Sequence, residues 1–278
     1  MAWLPKDIKS TVGLHGLPAV VFVVGLAMSA YAYVDLSKRT EAEQLSQLED
    51  AAKNYEFLLR HRLEKYTNAN RALGAFFSAS NTVEPVEFDN YLRASQVFRH
   101  LPGMSSFGYL PKVPAAQADR FEAEAARTFP GYHLHQRRDG VAAYFPLLYA
   151  HHASDPNRAD QLRGLDYSAI PVRWAAMQEA DARNEPVATA VHTALRDPNK
   201  RRVVQIFSPV KKRLGAAGMP MARQARLDGF IFSSLYVDPL FRNFDNGRLT
   251  QYFDLEVFDN KVSRENIVFD GDNAAHAL

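Results

Sequence analysis

The sequence predicts an α+β fold in which a long N-terminal helix precedes a domain of short strands and helices. The stretch 35–80 contains no proline, and its only glycine is Gly74, so a helix of about twelve turns is expected there. After Asn81 the pattern changes to short segments rich in Val, Ile, Phe and Tyr, which are typical of strands and are separated by helical segments. Helices placed between antiparallel strands indicate the α+β class.

The composition is that of a folded protein. The chain has 278 residues, of which 47% are hydrophobic and 23% charged, so it can bury a core. The net charge of +2 is spread along the sequence, and no nucleic-acid partner is predicted. Because the chain has no cysteine, disulfides, thiolate metal sites and a cysteine nucleophile are excluded.

The first element is a predicted transmembrane helix at 12–34, after a cytoplasmic N-terminus at 1–11. The segment is apolar apart from His15 and a few small polar residues, and it is long enough to cross a hydrocarbon core of roughly 30 Å. With Lys6 and Lys9 on the cytoplasmic side, residues after about 35 are expected in the periplasm and the chain in the cell inner membrane. A cleaved signal peptide is the alternative, because Ala30-Tyr31-Ala32 has the small-x-small form of a cleavage site.

The second element is a predicted stalk helix at 35–80. Its apolar residues recur at alternating spacings of three and four, with one seven-residue step across Arg62, which is a heptad pattern. The stripe favours a homodimer through the stalk, although packing against the chain's own domain explains it equally well. The stripe consists of Leu45, Leu48, Ala52, Tyr55, Leu59, Tyr66, Ala69, Leu73 and Phe76.

A sensor domain is predicted at 81–260, followed by a juxtamembrane tail at 261–278. Helices are expected at 88–98, 115–129 and 168–182, the second ending at Pro130-Gly131. No second apolar run precedes Leu278, so we interpret the chain as a truncated receptor fragment. Strands are expected at 106–109, 142–149, 186–191, 202–209, 228–237 and 251–258.

The stretch between Gly164 and Thr189 carries an ordered motif, which resembles the central segment of the CHASE domain. CHASE domains are extracytoplasmic ligand-sensing modules of membrane histidine kinases and nucleotide cyclases. The resemblance implies a PAS-like, two-lobed antiparallel-sheet domain on a long helix, with the ligand in the membrane-distal lobe. The motif is formed by Gly164, Leu165, Asp166, Ser168, Pro171, Arg173, Ala176, Ala180, Pro186, Val187 and Thr189, and matching segments include Leu101-Pro102-Gly103, Tyr144-Phe145-Pro146 and Phe207-Ser208-Pro209-Val210.

The resemblance also implies the function. The chain would be the small-molecule-sensing part of a transmembrane signal-transduction receptor, and the whole protein would be a sensor histidine kinase of a two-component system or a diguanylate cyclase. Two alternatives stay open: a membrane-anchored or secreted periplasmic binding protein, and an anchored metal-dependent hydrolase.

The predicted ligand pocket combines apolar side chains with a few polar groups, as small-molecule sites do. By resemblance to plant cytokinin receptors, Leu165 would contact a bound heterocycle through its backbone and Thr189 through its hydroxyl. Thr189→Ile is accordingly predicted to block binding while leaving folding largely intact. The predicted ligand-binding residues are Tyr144, Pro146, Leu165, Asp166, Thr189, Leu195 and Phe207, although Asp166 also fits a helix cap.

One departure from those receptors bears on the ligand. They have an acidic residue two positions before the tyrosine of this strand, and Ala142 stands here instead. The substitution removes a charge-assisted hydrogen bond of about 1.5–3 kcal/mol. An adenine-type cytokinin is therefore a possible ligand without preference over other small metabolites.

No catalytic, metal or cofactor site is predicted. Nucleophile elbow, Walker, G-x-G-x-x-G and H-E-x-x-H motifs are missing from the sequence. The best metal candidates are His133, His135, His151 and His152, but no third ligand stands at a defined spacing from them. Any catalysis is expected to belong to a module outside these residues.

Overall fold

The computed structural model describes residues 8–212, 225–242, 255–259, 261–272 and 274. The chain divides into two compact units, Met1–Leu58 and Leu59–Leu278. Helix α1, Ile8–Ala79, contributes to both.

The part of α1 in the first unit contains the predicted transmembrane helix. From Val20 onward the helix is long and apolar enough to cross a membrane, with a mean hydropathy of 1.7 in its most apolar window. None of that window is buried, and side chains such as Phe22 and Met28 are about two thirds exposed. A signal sequence has the same properties, so the choice between the two stays open.

The part of α1 in the second unit packs against its own domain. Tyr66, Leu73 and Phe77 are buried in the main core, so the upper end of the heptad stripe serves the domain. Leu45 and Leu48, in the first unit, are 57% and 45% exposed. The lower stripe therefore has an uncovered apolar edge.

The centre of the second unit is a six-stranded antiparallel sheet. Its strand order is β4-β1-β8-β7-β5, and β6 also pairs with β7. The strands are β1 (Met104–Pro111), β4 (Tyr149–His152), β5 (Val187–Ala188), β6 (His192–Thr193), β7 (Arg202–Lys212) and β8 (Arg226–Tyr236).

Two of the predicted strands are divided. The prediction at 142–149 becomes β3 (Ala143–Tyr144), which pairs with β2 (Val113–Pro114), and then β4 after an interruption at Pro146. A proline has no N–H for a ladder hydrogen bond, which explains the break. The prediction at 186–191 similarly becomes β5 and β6. Of 251–258, residues 251–254 lie outside the described residues.

The helices follow the predicted order with shifted ends. The predicted helix at 88–98 begins earlier, at Pro85, and is divided at Gln96, whose φ of 50° is left-handed. A 3-10 turn, Ala115–Gln117, precedes the helix predicted at 115–129. The helices after α1 are α2 (Pro85–Ser95), α3 (Val97–His100), α4 (Ala118–Thr128), α5 (Pro156–Leu162), α6 (Pro171–Arg183) and α7 (Val237–Arg242).

A second, two-stranded sheet lies in the C-terminal part of the domain. Strand β9, Glu256–Phe258, pairs with β10, Ile267–Asp270, and Phe269 of β10 stacks near Phe241 of α7 with ring centroids 5.3 Å apart. Strand β10 falls inside the segment predicted as a tail at 261–278. Phe269 is 2% exposed, so this part of the segment is packed into the domain.

The six-stranded sheet has two different faces because side chains alternate along each strand. On the helix face, Phe107, Ile206 and Ile231 pack with the α1 residues. On the opposite face, Leu110, Phe207 and Phe232 pack with α6 in a second core. This second face also carries the cavity described next, and we call it the cavity face.

Candidate functional site

A cavity of about 50 Å³ lies between the cavity face of the sheet and the helices that cover it. A water molecule needs about 10–15 Å³ by this measure, so the cavity has room for a few waters or one compact ligand. Its floor comes from β1, β4, β7 and β8, and its cover from α5, α6 and the connecting loops. The lining residues are Ser105, Ser106, Leu147, Ala150, His152, Arg158, Ala159, Leu162, Tyr167, Arg173, Ala194, Leu195, Val203, Gln205, Phe232, Ser234 and Tyr236.

Arg173 is the most unusual of these residues. It stands in the first turn of α6, which begins at Pro171, a residue preorganised for that position. Only 2% of Arg173 is exposed, and its guanidinium lies over the ring of Tyr167, 4.2 Å from the centroid. In the part of the chain that the structure describes, neither Nε nor Nη1 has a hydrogen-bond partner. Burial lowers the pKa of Arg173, and the adjacent Tyr167 hydroxyl partly offsets that effect.

Polar groups of the floor lie below Tyr167. Gln205 of β7 donates from Nε2 to Oγ of Ser234 on β8 over 2.7 Å. Both residues are buried, and so is Tyr167, whose pKa is raised by its burial. These groups give the cavity hydrogen-bonding capacity within an otherwise apolar surrounding.

Arg158 of α5 is held by an ion pair. Its Nη2 lies 3.2 Å from Oδ2 of Asp197, and its Nη1 donates to the Tyr236 hydroxyl over 3.3 Å. Arg201 shares the same carboxylate, with Nε 2.9 Å from Oδ2. Burial opposes ionisation of Asp197, but the two arginines and the Asn199 N–H outweigh it and lower the pKa of this carboxyl.

His152 at the end of β4 is a neutral lining residue. Its Nδ1 accepts hydrogen bonds from the backbone N–H groups of Ser154 and Asp155, at 3.3 and 3.1 Å. Burial and the nearby Arg158 lower the pKa of His152. The accepting Nδ1 places the ring hydrogen on Nε2.

The family of the chain follows from comparison with known proteins. The family model described as CHASE domain matches residues 81–269. The chain belongs to the CHASE domain family. CHASE domains are sensory extracellular domains of receptors. No curated protein matches the chain.

One predicted ligand-binding residue of this CHASE domain, Leu195, lines the cavity. The other six are not among its lining residues. Phe207 is fully buried in the second core, with its ring centroid 6.3 Å from that of Tyr167. Tyr144 is buried and donates its hydroxyl hydrogen to the carbonyl of Arg138. Their contact with a ligand stays a prediction.

Leu165 uses its backbone within the CHASE domain. Its carbonyl accepts from the Leu147 N–H over 3.0 Å, and its own N–H donates to the carbonyl of Leu162. The preceding residue, Gly164, has a φ of 80°, and a Cβ there would lie 1.8 Å from the carbonyl oxygen of His133. Only glycine fits this position, which accounts for the glycine that opens the motif.

Asp166 is fully buried and organises the connection between Pro146 and α6. Its Oδ1 accepts from the N–H groups of Phe145 and Ser168 and from the Ser168 hydroxyl, and its Oδ2 pairs with Arg138 at 3.0 Å. It caps the 3-10 turn Tyr167–Ala169. Asp166 thus caps the turn that precedes α6, whereas the N-cap residue of α6 itself is Ile170. Pro146 pairs with Asp166 in an isolated bridge.

Thr189 is hydrogen-bonded to Gln205, a residue of the cavity floor. The Gln205 N–H donates to Oγ1 of Thr189 over 3.0 Å, while the Thr189 N–H donates to the Gln205 carbonyl over 2.8 Å. Thr189 thus sets the position of a floor residue.

Two of the four candidate metal-binding histidines contact carboxylates. His133 contacts Glu122 at 3.2 Å, and His151 contacts Asp89 at 3.4 Å. In the described ranges no group of three His, Cys, Asp or Glu side chains is arranged to hold a metal ion.

Three important cavity residues were not predicted from the sequence: Arg158, Tyr167 and Gln205. Arg158 comes from a segment without a distinctive pattern, whereas Tyr167 lies within the motif, between Asp166 and Ser168, but is not one of its named residues. Gln205 carried a usable signal, since it is a polar residue within the apolar strand 202–210 and therefore requires a buried partner.

Proposed function

We propose that this CHASE domain senses a small molecule in the cavity and is the extracytoplasmic input of a transmembrane receptor. The observation that carries the proposal is the cavity on one face of the sheet, whose lining combines buried polar groups with apolar side chains. Helix α1 packs on the other face of the same sheet.

The sheet would connect the ligand to α1. Ser234 and Tyr236 of β8 line the cavity, whereas Ser233 and Leu235 of the same strand face α1. A ligand that favours one position of β8 would therefore bias the position of α1, because packed interfaces tend to switch between discrete arrangements. The six-stranded sheet would form one lobe of a PAS-like domain, and the pair β9–β10 would belong to the second.

The remaining elements would complete a membrane receptor. The apolar start of α1 would cross the cell inner membrane, residues after about 35 would lie in the periplasm, and the lower stripe at Leu45 and Leu48 would form a homodimer. The output would be a histidine kinase or a diguanylate cyclase module. An adenine-type cytokinin would require the cavity to enlarge, since about 50 Å³ corresponds to only a few waters.

The test is ligand binding by the full chain in lipid nanodiscs. Thermal unfolding is followed in the presence of a panel of small metabolites, for wild type and for Leu195→Trp, which is designed to fill the cavity. Thr193→Trp is the matched control because Thr193 is an exposed neighbour outside the lining. We expect at least one compound to raise the unfolding temperature of wild type and of the control but not of Leu195→Trp. Equal shifts in all three would place the binding site elsewhere and contradict the proposal.

A further inference from the structure

We propose that the cavity binds a small organic carboxylate and that Arg173 is its counter-ion. This inference rests on the proposed function, since it names the ligand class of the same cavity. It assigns to Arg173 a role that its place in the CHASE motif does not reveal.

The first support is the state of the guanidinium. Arg173 is 2% exposed, and two of its nitrogens, Nε and Nη1, have no acceptor among the described residues. A buried cation without an anionic partner is costly to a folded protein. Tyr167 offers a cation–π contact through its ring and an interaction through its hydroxyl, but its raised pKa keeps that hydroxyl uncharged. A carboxylate would supply both the missing charge and the missing acceptors.

The second support is the charge of the surroundings. None of the described lining residues is Asp or Glu. Two buried carboxylates of the domain already have partners: Asp197 pairs with Arg158 and Arg201, and Asp166 pairs with Arg138. His152 stays neutral because of its lowered pKa. The cavity wall thus has an excess of positive charge that the domain itself does not balance.

The third support is the division of the lining into a polar and an apolar part. Hydroxyl and amide groups of Tyr167, Gln205 and Ser234 belong to the same lining as Arg173. Leu162, Val203 and Phe232 supply an apolar surface. This combination suits a carboxylate head with a short apolar body. The cavity volume of about 50 Å³ restricts that body to a few carbon atoms.

The probes are sodium acetate, propionate, butyrate and pyruvate, each compared with a neutral or inorganic control at equal ionic strength. Acetamide, propionamide and butyramide match the carboxylates in shape without the charge, and sodium phosphate tests a different anion. Binding to the full chain in nanodiscs is measured by titration calorimetry and thermal unfolding. The variant is Arg173→Met, and the matched control is Arg183→Met on the same helix, where Arg183 is exposed and pairs with Glu179.

We expect at least one carboxylate to bind wild type and Arg183→Met, and its amide to bind at least tenfold more weakly. Arg173→Met should lose at least tenfold in affinity, because the charge-assisted hydrogen bonds between the guanidinium and the carboxylate would be absent. Without ligand, Arg173→Met should unfold at the same temperature as wild type or higher, since it removes a lone buried charge. A purely structural Arg173 would instead give a lower unfolding temperature in the variant.

Two results would overturn the inference. Amides that bind as tightly as the carboxylates, or undiminished carboxylate binding by Arg173→Met, would show that the charge of Arg173 is not used. Binding of phosphate without any carboxylate would contradict the ligand class. None of these outcomes excludes the cavity as the ligand site. The proposed function fails only if Leu195→Trp has no effect on any compound that binds.

Discussion

Asn70 of helix α1 donates from Nδ2 to the Oγ of Ser233 on strand β8 over 2.6 Å, and both residues are completely buried. The next residue along the strand, Ser234, lines the cavity on the opposite face of the sheet. This hydrogen bond is thus one residue away from the candidate ligand site. It connects α1 to the strand that we expect to respond to the ligand.

Asn70→Ala is predicted to lower the free energy of unfolding by about 1–2 kcal/mol, because the Ser233 hydroxyl would lose its partner in the core. Denaturant unfolding of the full chain measures the loss. Ser233→Ala and the double variant complete a mutant cycle, and we expect a coupling of at least about 0.5 kcal/mol. Additive losses would show that the two side chains do not stabilise each other.

Asp166→Ala is predicted to lower the free energy of unfolding by about 3–5 kcal/mol. It removes the acceptor of the buried Phe145 N–H, Ser168 N–H and Ser168 hydroxyl, and the carboxylate partner of the partly exposed Arg138. Asp166→Asn retains an acceptor oxygen and should lose less. The control is Asp160→Ala, because Asp160 is largely exposed and pairs only locally with Arg163. The measurement is chemical denaturation. If Asp166→Ala and Asp160→Ala lost the same free energy of unfolding, the role assigned to Asp166 would be contradicted.

Thr189→Ile is still expected to prevent ligand binding, but the structure changes the expectation for folding. Its Oγ1 accepts from the buried Gln205 N–H, so removal of the hydroxyl should lower the free energy of unfolding by about 1–3 kcal/mol. Thr189→Val removes the hydroxyl without adding length, and Thr189→Ser keeps it. The unfolding temperature of Thr189→Val should be lower than that of Thr189→Ser. The reverse order would exclude a structural role for the hydroxyl.

Acid destabilisation should involve Glu122. Burial alone would raise its pKa, but the Leu134 N–H, Arg137 and His133 together lower it to about 2, below the ordinary value of 4.5. Since the folded-state pKa is the lower one, the stabilisation is present above about pH 4.5 and is lost as the pH falls toward 2.

The Glu122 contribution should be on the order of 1–2 kcal/mol, because a quarter of the side chain is exposed and solvent screens the charges. Glu122→Gln should be less stable than wild type at pH 6, and the difference should shrink between pH 4.5 and 2. Unfolding measured across that range is the check. A difference that is constant with pH would mean that ionisation of Glu122 does not contribute.

The proposed homodimer can be tested by cysteine crosslinking, because the chain contains no cysteine of its own. Leu48→Cys lies on the exposed apolar stripe, and Glu49→Cys is the adjacent control off the stripe. In nanodiscs, mild oxidation should crosslink Leu48→Cys efficiently and Glu49→Cys poorly. Equal crosslinking at the two positions would show that the stripe does not define an interface.

The sequence was sufficient for features that depend on local patterns. The absence of proline between 35 and 80 predicted a continuous helix, and α1 extends through this region to Ala79. The motif around Gly164 predicted the CHASE family, which the match over 81–269 confirms. The helix was readable because its period is set by residues close together in the chain, and the family was readable because its motif residues stand in order within one short stretch.

The cavity required the tertiary structure. Arg158, Arg173 and Gln205 are separated along the chain, and they meet because antiparallel pairing places β7 and β8 below α5 and α6. The sequence identified Arg173 as a residue of the motif, but the missing acceptors at its Nε and Nη1 are found only in the folded structure. Local sequence thus determined the family, the long helix and most strands. Contacts between residues distant in sequence decided which side chains share the cavity and which buried charge lacks a partner, because burial and pairing depend on the whole fold.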